Sequence, residues 1–137
     1  MGRYLGLDFG EKRVGVALSD EDKKFSFPQE TITYDNIGDL TAQLRKTCQV
    51  ENVEKIIIGL PVDLQGRKNT WTKKVESFAE AIGKALGLNY DFQDERLTSK
   101  MTMSLFKETK RKKIQKGQID AISARIILQD YLDKLSL

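Results

Sequence analysis

The sequence contains no histidine, and this absence excludes several kinds of enzyme at once. Without an imidazole there is no Ser-His-Asp or Cys-His catalysis, no histidine-bound zinc, and no side chain that ordinarily titrates near neutral pH. A single cysteine, Cys48, excludes an internal disulfide and a cysteine-based metal cage. If the chain is an enzyme, carboxylates, lysines or a metal ion must carry the reaction.

Long apolar runs are also missing. No stretch approaches the ~18 residues that a membrane span requires, and the first residues show no signal-peptide pattern. Charged residues make up 31% of the chain and hydrophobic residues 39%, which is typical of a globular domain. The length of 137 residues fits one domain, so we predict a single domain over 1–137, located in the reducing cytoplasm.

The order of apolar patterns predicts a mixed α/β fold. Alternating residues predict two strands joined by a turn at 10–12, then a third strand over 25–34 in which Pro28 marks an edge or a bend. Later elements are predicted as a helix over 37–50, a buried strand at 56–58, a helix over 71–86, a strand over 88–92, a helix beginning at Thr98 and a last helix over 118–135. Antiparallel hairpins followed by crossovers predict a mixed five-stranded sheet, three antiparallel strands and then parallel strands, with helices on both faces.

Acidic residues lie at the ends of two predicted strands. Asp8 closes the first strand in an apolar context, where a carboxylate needs a cation opposite; the alternative is that it accepts hydrogen bonds from the turn amides of 10–12. Asp94 and Glu95 end a later strand, and sites in open α/β sheets form outside the carboxyl ends of parallel strands. Because neighbouring strand residues point to opposite faces, only one of the two can face Asp8, and we favour Glu95 with Asp94 as the alternate.

A third acid, Asp120, is the lone charge on a small and apolar face of the last helix; the alternative is that it only complements the helix dipole. Asp8, Glu95 and Asp120 together would supply three oxygen ligands from separate elements. Such a set suits Mg²⁺ or Mn²⁺, which bind phosphates and activate water. We therefore predict these three acids as catalytic, metal-binding residues.

Positive charge is concentrated in one segment. The net charge is +3, but residues 100–116 hold seven lysines and arginines against one glutamate, so the rest of the chain is mildly acidic. A basic segment indicates a phosphate-bearing partner, most simply a nucleic acid; the alternative is a solvated loop. The loop 66–68, just before a predicted helix, adds a second phosphate-binding candidate. The predicted nucleic-acid contacts are Lys12, Arg13, Arg67, Lys68, Arg96, Lys110, Arg111, Lys112 and Lys113.

Four motifs, in order along nearly the whole chain, resemble those of the YqgF (RuvX-type) family. They are LGLDFGEKRVGVA at 5–17, IIIGLP at 56–61, DERLT at 94–98 and KGQID at 116–120. The resemblance implies an RNase H-like fold related to Holliday-junction resolvases, with Asp8, Glu95 and Asp120 as metal-binding catalytic acids. It also implies a cytoplasmic role in ribosome biogenesis, through processing of pre-16S rRNA. Resolvases of this type commonly carry an acid on the central strand, where this chain has 56–59, so here the acid must come from Asp94 or Glu95.

Three functions are therefore open. The first is a metal-dependent nuclease acting on structured or single-stranded RNA, or on branched DNA as a Holliday-junction resolvase. The second is an actin-like nucleotide binder, since D-x-G hairpins also hold ATP; the chain, however, offers one half of such a two-domain cleft and no second D-x-G motif. The third is a non-catalytic nucleic-acid-binding scaffold. For both functions that involve nucleic acid, we expect no membrane contact, and a monomer or weak homodimer.

Overall fold

A computed structural model describes residues 2–95 and 116–136 of the chain, with the side chains of the last helix described from Asp120 onward. The strands are β1 Arg3–Phe9, β2 Arg13–Ser19, β3 Ser26–Pro28, β4 Ile32–Thr33, β5 Val53–Leu60 and β6 Asn89–Asp94. The described helices are α1 Ile37–Val50, α2 Thr70–Leu86 and α3 Lys116–Leu135. None of them is both long and apolar enough to cross a membrane.

The strands form one mixed sheet in the order β3-β2-β1-β5-β6, with β4 also paired to β2. β2 is antiparallel to β1, β3 and β4, whereas β5 is parallel to both β1 and β6. The predicted succession of antiparallel and then parallel strands is confirmed.

The predicted third strand over 25–34 is in fact two short strands, so the described residues form a sheet of six strands where five are predicted. Pro28 ends β3, because proline has no N–H to continue the ladder. The Gln29 N–H still donates to the Val16 carbonyl at 2.8 Å, and β4 resumes the pairing at the start of β2. Both short strands therefore lie along the same edge of β2, and β1 lies along its other edge.

Helices cover both faces of the sheet, as predicted, and each face has its own core. Leu5, Leu7 and Ile56 face α1 and α2 in the larger core. The residues that alternate with them face α3, and there Ile57 packs against Ile127 in a smaller core. This alternation decides which strand residues can share a site, because only side chains on one face can meet.

Local signals fix the helix ends. Asn36 caps α1 through the Asp39 N–H, Asn69 and Thr72 form a capping box on α2, and Gly87 ends α2 in the left-handed region with φ 66°. α3 begins two residues before the predicted start. The predicted helix at Thr98 lies outside the described residues.

Candidate active site

Asp8 and Glu95 lie on the face of the sheet that α3 covers. Asp91 and Gln93 of β6 contact α3, accepting hydrogen bonds from Tyr131 at 2.9 Å and Lys134 at 3.2 Å. The Glu95 N–H donates to the Leu60 carbonyl at 3.3 Å, which continues the ladder one residue beyond β6. By alternation Glu95 therefore shares the face of Asp91, whereas Asp94 falls on the opposite one.

A glycine on the intervening strand lets these two acids meet. β5 lies between β1 and β6, and its Gly59 stands where a side chain would separate Asp8 from Glu95. A Cβ at Gly59 would lie 2.9 Å from Glu95 Oε2 and 2.5 Å from Ile127 Cδ1. The Glu95 carboxyl thus occupies space over the central strand that only glycine leaves free.

The carboxyl groups of Asp8 and Glu95 are joined by a hydrogen bond. Burial raises the pKa of Asp8 well above its ordinary value of 3.8, and the charge of Glu95, this hydrogen bond and the charge of Asp120 raise it further. Burial also raises the pKa of Glu95, against the lowering effect of the hydrogen bond from Asp8. Burial therefore favours a proton shared between the two carboxyl groups.

The start of α3 brings Asp120 to the same region. A Cβ at Gly15 of β2 would lie only 2.0 Å from the Asp120 carbonyl oxygen, so the helix backbone rests directly on this strand. Asp8 and Gly15 are register partners across β1 and β2, which places the first described turn of α3 beside Asp8. All three predicted acids are thus brought to one end of one face.

Asp120 is paired with a cation from the hairpin. Arg13 Nε donates to Asp120 Oδ2 at 3.3 Å, and the two side chains are 33% and 28% exposed. The hairpin is held from the side by Tyr34, whose hydroxyl donates to the Gly10 carbonyl at 3.0 Å. An open depression of about 440 Å³ borders this pair, lined by Gly10, Glu11, Lys12, Arg13 and Asp120.

The three acids do not form one cluster: Asp8 contacts Glu95, whereas Asp120 is paired with Arg13. Among the described residues, no three acidic side chains are gathered closely enough to hold a metal ion together. Their chemistry nevertheless fits a divalent ion, because every donor is a hard carboxylate oxygen. Without a metal ion, the negative charge of the acids is offset by a proton shared between Asp8 and Glu95 and by the guanidinium beside Asp120. A bound divalent ion would supply this positive charge in their place.

The predicted basic contacts are distributed differently. Lys12 is exposed on the hairpin. In the loop before α2, Arg67 pairs with Asp63 at 2.7 Å and Lys68 pairs with Glu76 at 2.8 Å. These two cations already have acidic partners within the chain, whereas Lys12 and Arg13 border the depression beside Asp120. The remaining predicted contacts, Arg96, Lys110, Arg111, Lys112 and Lys113, lie outside the described residues.

Sequence reasoning did not anticipate the glycines that support the site. Gly6, Gly15 and Gly59 all face α3, and a Cβ at Gly6 would lie 2.8 Å from Leu128 Cβ. Glycine is disfavoured inside strands, so three of them in adjacent strands are a signal of close helix approach. The role of Tyr34 in holding the Gly10 turn was missed as well, and no local pattern marks it.

Comparison with solved structures defines the class of the fold. Thermus thermophilus RuvC in complex with a Holliday junction substrate superposes with a TM-score of 0.61 at 11% identity, covering 99% of this chain and 96% of that one. The chain therefore has the RNase H-like fold of resolvases, as the motifs implied.

Sequence comparison then gives the family. Residues 2–134 match the RuvX family, described as Holliday junction resolvase. A relative from Thermosynechococcus vestitus, named "Putative pre-16S rRNA nuclease", is 41% identical over 96% of this chain and 88% of its own length. A relative of the same name from Syntrophomonas wolfei is 38% identical over 98% of this chain and 96% of its own length. The protein belongs to the RuvX (YqgF) family.

Proposed function

We propose that this protein is a metal-dependent nuclease that hydrolyses phosphodiester bonds in RNA, with a precursor of 16S rRNA as its substrate in the cytoplasm. The observation that carries the proposal is the hydrogen-bonded pair of Asp8 and Glu95, with Asp120 at the adjacent helix start. Carboxyl groups whose pKa is raised by burial, and that lie in contact with each other, are characteristic of sites built for a cation or for proton transfer. The names of the relatives at 41% and 38% identity support the substrate.

Asp8, Glu95 and Asp120 are the residues that would hold Mg²⁺ or Mn²⁺. When bound, such an ion supplies Lewis-acid activation of the attacking water and stabilises charge that develops on the phosphate. For both carboxylates to hold the ion, the proton shared by Asp8 and Glu95 would have to leave the pair. Since the chain contains no histidine, these carboxylates are also the groups able to accept a proton near the scissile phosphate.

The neighbouring cations would bind and orient the nucleic acid. Lys12 and Arg13 border the depression beside Asp120, so a phosphate lying there would reach both side chains. The basic segment 100–116, which precedes and enters α3 in the sequence, would extend this contact along the strand. Phosphate contacts of this kind position the substrate without reading its sequence.

A second candidate substrate is branched DNA. The description of the family and the structural similarity to RuvC both favour a four-way junction. The two candidates share the same acids and the same chemistry. They differ in the sugar and in the shape of the nucleic acid that the surface accepts.

A cleavage panel tests the proposal and separates the two substrates. The purified protein is incubated in Mg²⁺ or Mn²⁺ with a 16S rRNA precursor end, an unrelated single-stranded RNA, a DNA duplex and a four-way DNA junction. Asp8→Asn removes one predicted ligand, and Asp35→Asn removes an exposed carboxylate outside the predicted ligand set as a matched control. We expect cleavage of the precursor end by the wild type and the control only; preferential cleavage of the junction would identify a resolvase, and equal activity of Asp8→Asn would contradict the proposal.

A further inference from the structure

The Arg13–Asp120 ion pair places a cation on an acid that the proposed function needs for the metal. Arg13 Nε lies 3.3 Å from Asp120 Oδ2. The Arg13 guanidinium and a divalent ion would compete for the same lone pairs of Asp120 Oδ2. Metal binding and the position of Arg13 are therefore linked by geometry.

We propose that Arg13 is a positioning residue that pairs with Asp120 when the site holds no divalent ion and with a nucleic-acid phosphate when it does, so that metal and nucleic acid bind cooperatively. This inference rests on the proposed function and specifies how its site is regulated. It assigns to Arg13 two alternative partners, one in the chain and one in the substrate.

The ion pair is weak enough to exchange. Both side chains are about one third exposed, and only one guanidinium nitrogen contacts the carboxylate. Partly exposed pairs of this kind contribute about 0.2–1 kcal/mol, far less than bidentate buried pairs. Within residues 2–95 and 120–136, the guanidinium bonds through Nε alone, which leaves the terminal N–H donors for a phosphate.

The backbone of the hairpin stays fixed during such an exchange. The Gly10 N–H donates to the Arg13 carbonyl at 2.7 Å, and the Tyr34 N–H donates to the Lys12 carbonyl at 3.2 Å. Arg13 is also in register with Thr33 of β4. Only the Arg13 side chain has to rotate, and the 440 Å³ depression beside it has room for a phosphate group.

The charge balance favours the exchange when metal is bound. Without metal, the negative charge of Asp120 is compensated by the Arg13 guanidinium 3.3 Å away. A divalent ion takes over the compensation of Asp120, so the charge of Arg13 becomes available to an anion. Because coupling between two ligands is reciprocal, nucleic acid must strengthen metal binding by the same factor as metal strengthens nucleic-acid binding.

The first test is calorimetric titration of Mg²⁺ into the full chain without nucleic acid. Arg13→Gln removes the competitor, and Lys12→Gln removes the same charge from the neighbouring exposed position. We expect Arg13→Gln to bind Mg²⁺ about 2- to 5-fold more tightly than the wild type, with Lys12→Gln closer to the wild type. Arg13→Lys, which keeps the charge, provides a second variant if the melting temperature of Arg13→Gln falls.

The second test is the binding of a labelled single-stranded RNA, followed by anisotropy with and without Mg²⁺, with the probe checked for integrity afterwards. Mg²⁺ should strengthen binding severalfold for the wild type and for Lys12→Gln, and much less for Arg13→Gln. Equal Mg²⁺ affinity in the wild type and Arg13→Gln, or an unchanged Mg²⁺ effect on RNA binding, would overturn the role of Arg13 while leaving the metal site intact. Failure of the wild type to bind Mg²⁺ at all would overturn both this inference and the proposed metal site.

Discussion

Gly15 on β2 and Asp120 on α3 are in such close contact that a Cβ on the glycine would lie 2.0 Å from the carbonyl oxygen of the acid. The contact is between backbones, so no side-chain rotation can relieve it. The approach of α3 to the sheet, and with it the position of Asp120 beside Asp8, depends on the absence of one methyl group.

We predict that Gly15→Ala displaces the start of α3 and removes activity. Overpacking in a tight core costs about 1–3 kcal/mol, and the rigid backbone contact places this variant at the upper end, a fall in melting temperature of roughly 10 °C. Gly38→Ala, in the first turn of α1, is the control, because its Cβ would meet only Asn36 Oδ1 at 3.3 Å. Thermal melts and cleavage rates check the pair; a Gly15→Ala protein with wild-type stability and activity would show that α3 does not rest on β2.

Gly59→Ala should separate metal binding from stability. Its new methyl group would meet Glu95 Oε2 and Ile127 Cδ1, both at the flexible ends of side chains, so we expect a loss of only about 1 kcal/mol. The displaced Glu95 carboxylate would bind metal poorly with Asp8. In Gly59→Ala/Ile127→Val the Ile127 contact is relieved, so stability should recover while Mg²⁺ affinity, measured by calorimetry, should not. Recovery of both would show that Glu95 does not use the space over Gly59.

Asp8→Asn should stabilise the metal-free protein above acidic pH. Because the folded-state pKa of Asp8 is well above 3.8, the native state binds more protons than the unfolded chain between these two values. The contribution of Asp8 to stability is therefore complete below about pH 3.8 and is lost as pH rises through the folded pKa, at about 1.4 kcal/mol per unit of pKa shift.

The measurement is a series of melts in EDTA from pH 3 to 8. The difference between the wild type and Asp8→Asn should grow in favour of Asp8→Asn as pH rises, since the asparagine amide still donates to Glu95 and has no charge to repel it. Asp35→Asn, at an exposed position, should show no such growth. A lower melting temperature for Asp8→Asn at neutral pH would indicate a carboxylate that stabilises the turn instead of one held for a cation.

The basic segment should determine the salt dependence of nucleic-acid binding. Replacing Lys110, Lys112 and Lys113 with alanine should reduce the slope of log affinity against log salt by about two to three units, because each phosphate contact contributes ~0.7–0.9. The matched control replaces Lys46, Lys73 and Lys84, which are exposed on α1 and α2, on the face of the sheet opposite α3. Equal slopes for the two triple variants would show that the segment is only solvated surface.

Many of the turns and helix ends could be predicted because they depend on local sequence patterns. The turn at 10–12, the asparagine cap of α1 and the glycine that ends α2 depend on residues within a few positions of each other. Strand alternation predicts that only one of Asp94 and Glu95 can share the face of Asp8, but the contacts of β6 with α3 were needed to decide which. Pro28 predicts an edge or a bend in the third strand, but the position of the break along β2 depends on long-range pairing.

The rest of the site could not be predicted because it depends on contacts between distant segments. Arg13 and Asp120 are 107 residues apart, and no local pattern shows that the cation pairs with the acid instead of facing solvent. The need for glycine at position 59 is visible only when the path of the Glu95 side chain over β5 is known. The charge of Arg67 and Lys68 and their place before a helix predict phosphate contacts, but their pairing with Asp63 and Glu76 depends on the fold of the loop and of α2.

The most direct test of the account is the rate of cleavage of a 16S rRNA precursor end as a function of Mg²⁺ concentration, measured for the wild type and Asp8→Asn. We predict no cleavage in EDTA, a rate that rises and saturates with Mg²⁺, and a loss of more than about 100-fold in folded Asp8→Asn, since even the partners of metal ligands cost 10–100-fold when changed. Cleavage by the wild type that persists in EDTA, or that Asp8→Asn retains, would contradict the assignment of these acids to a metal-dependent nuclease site.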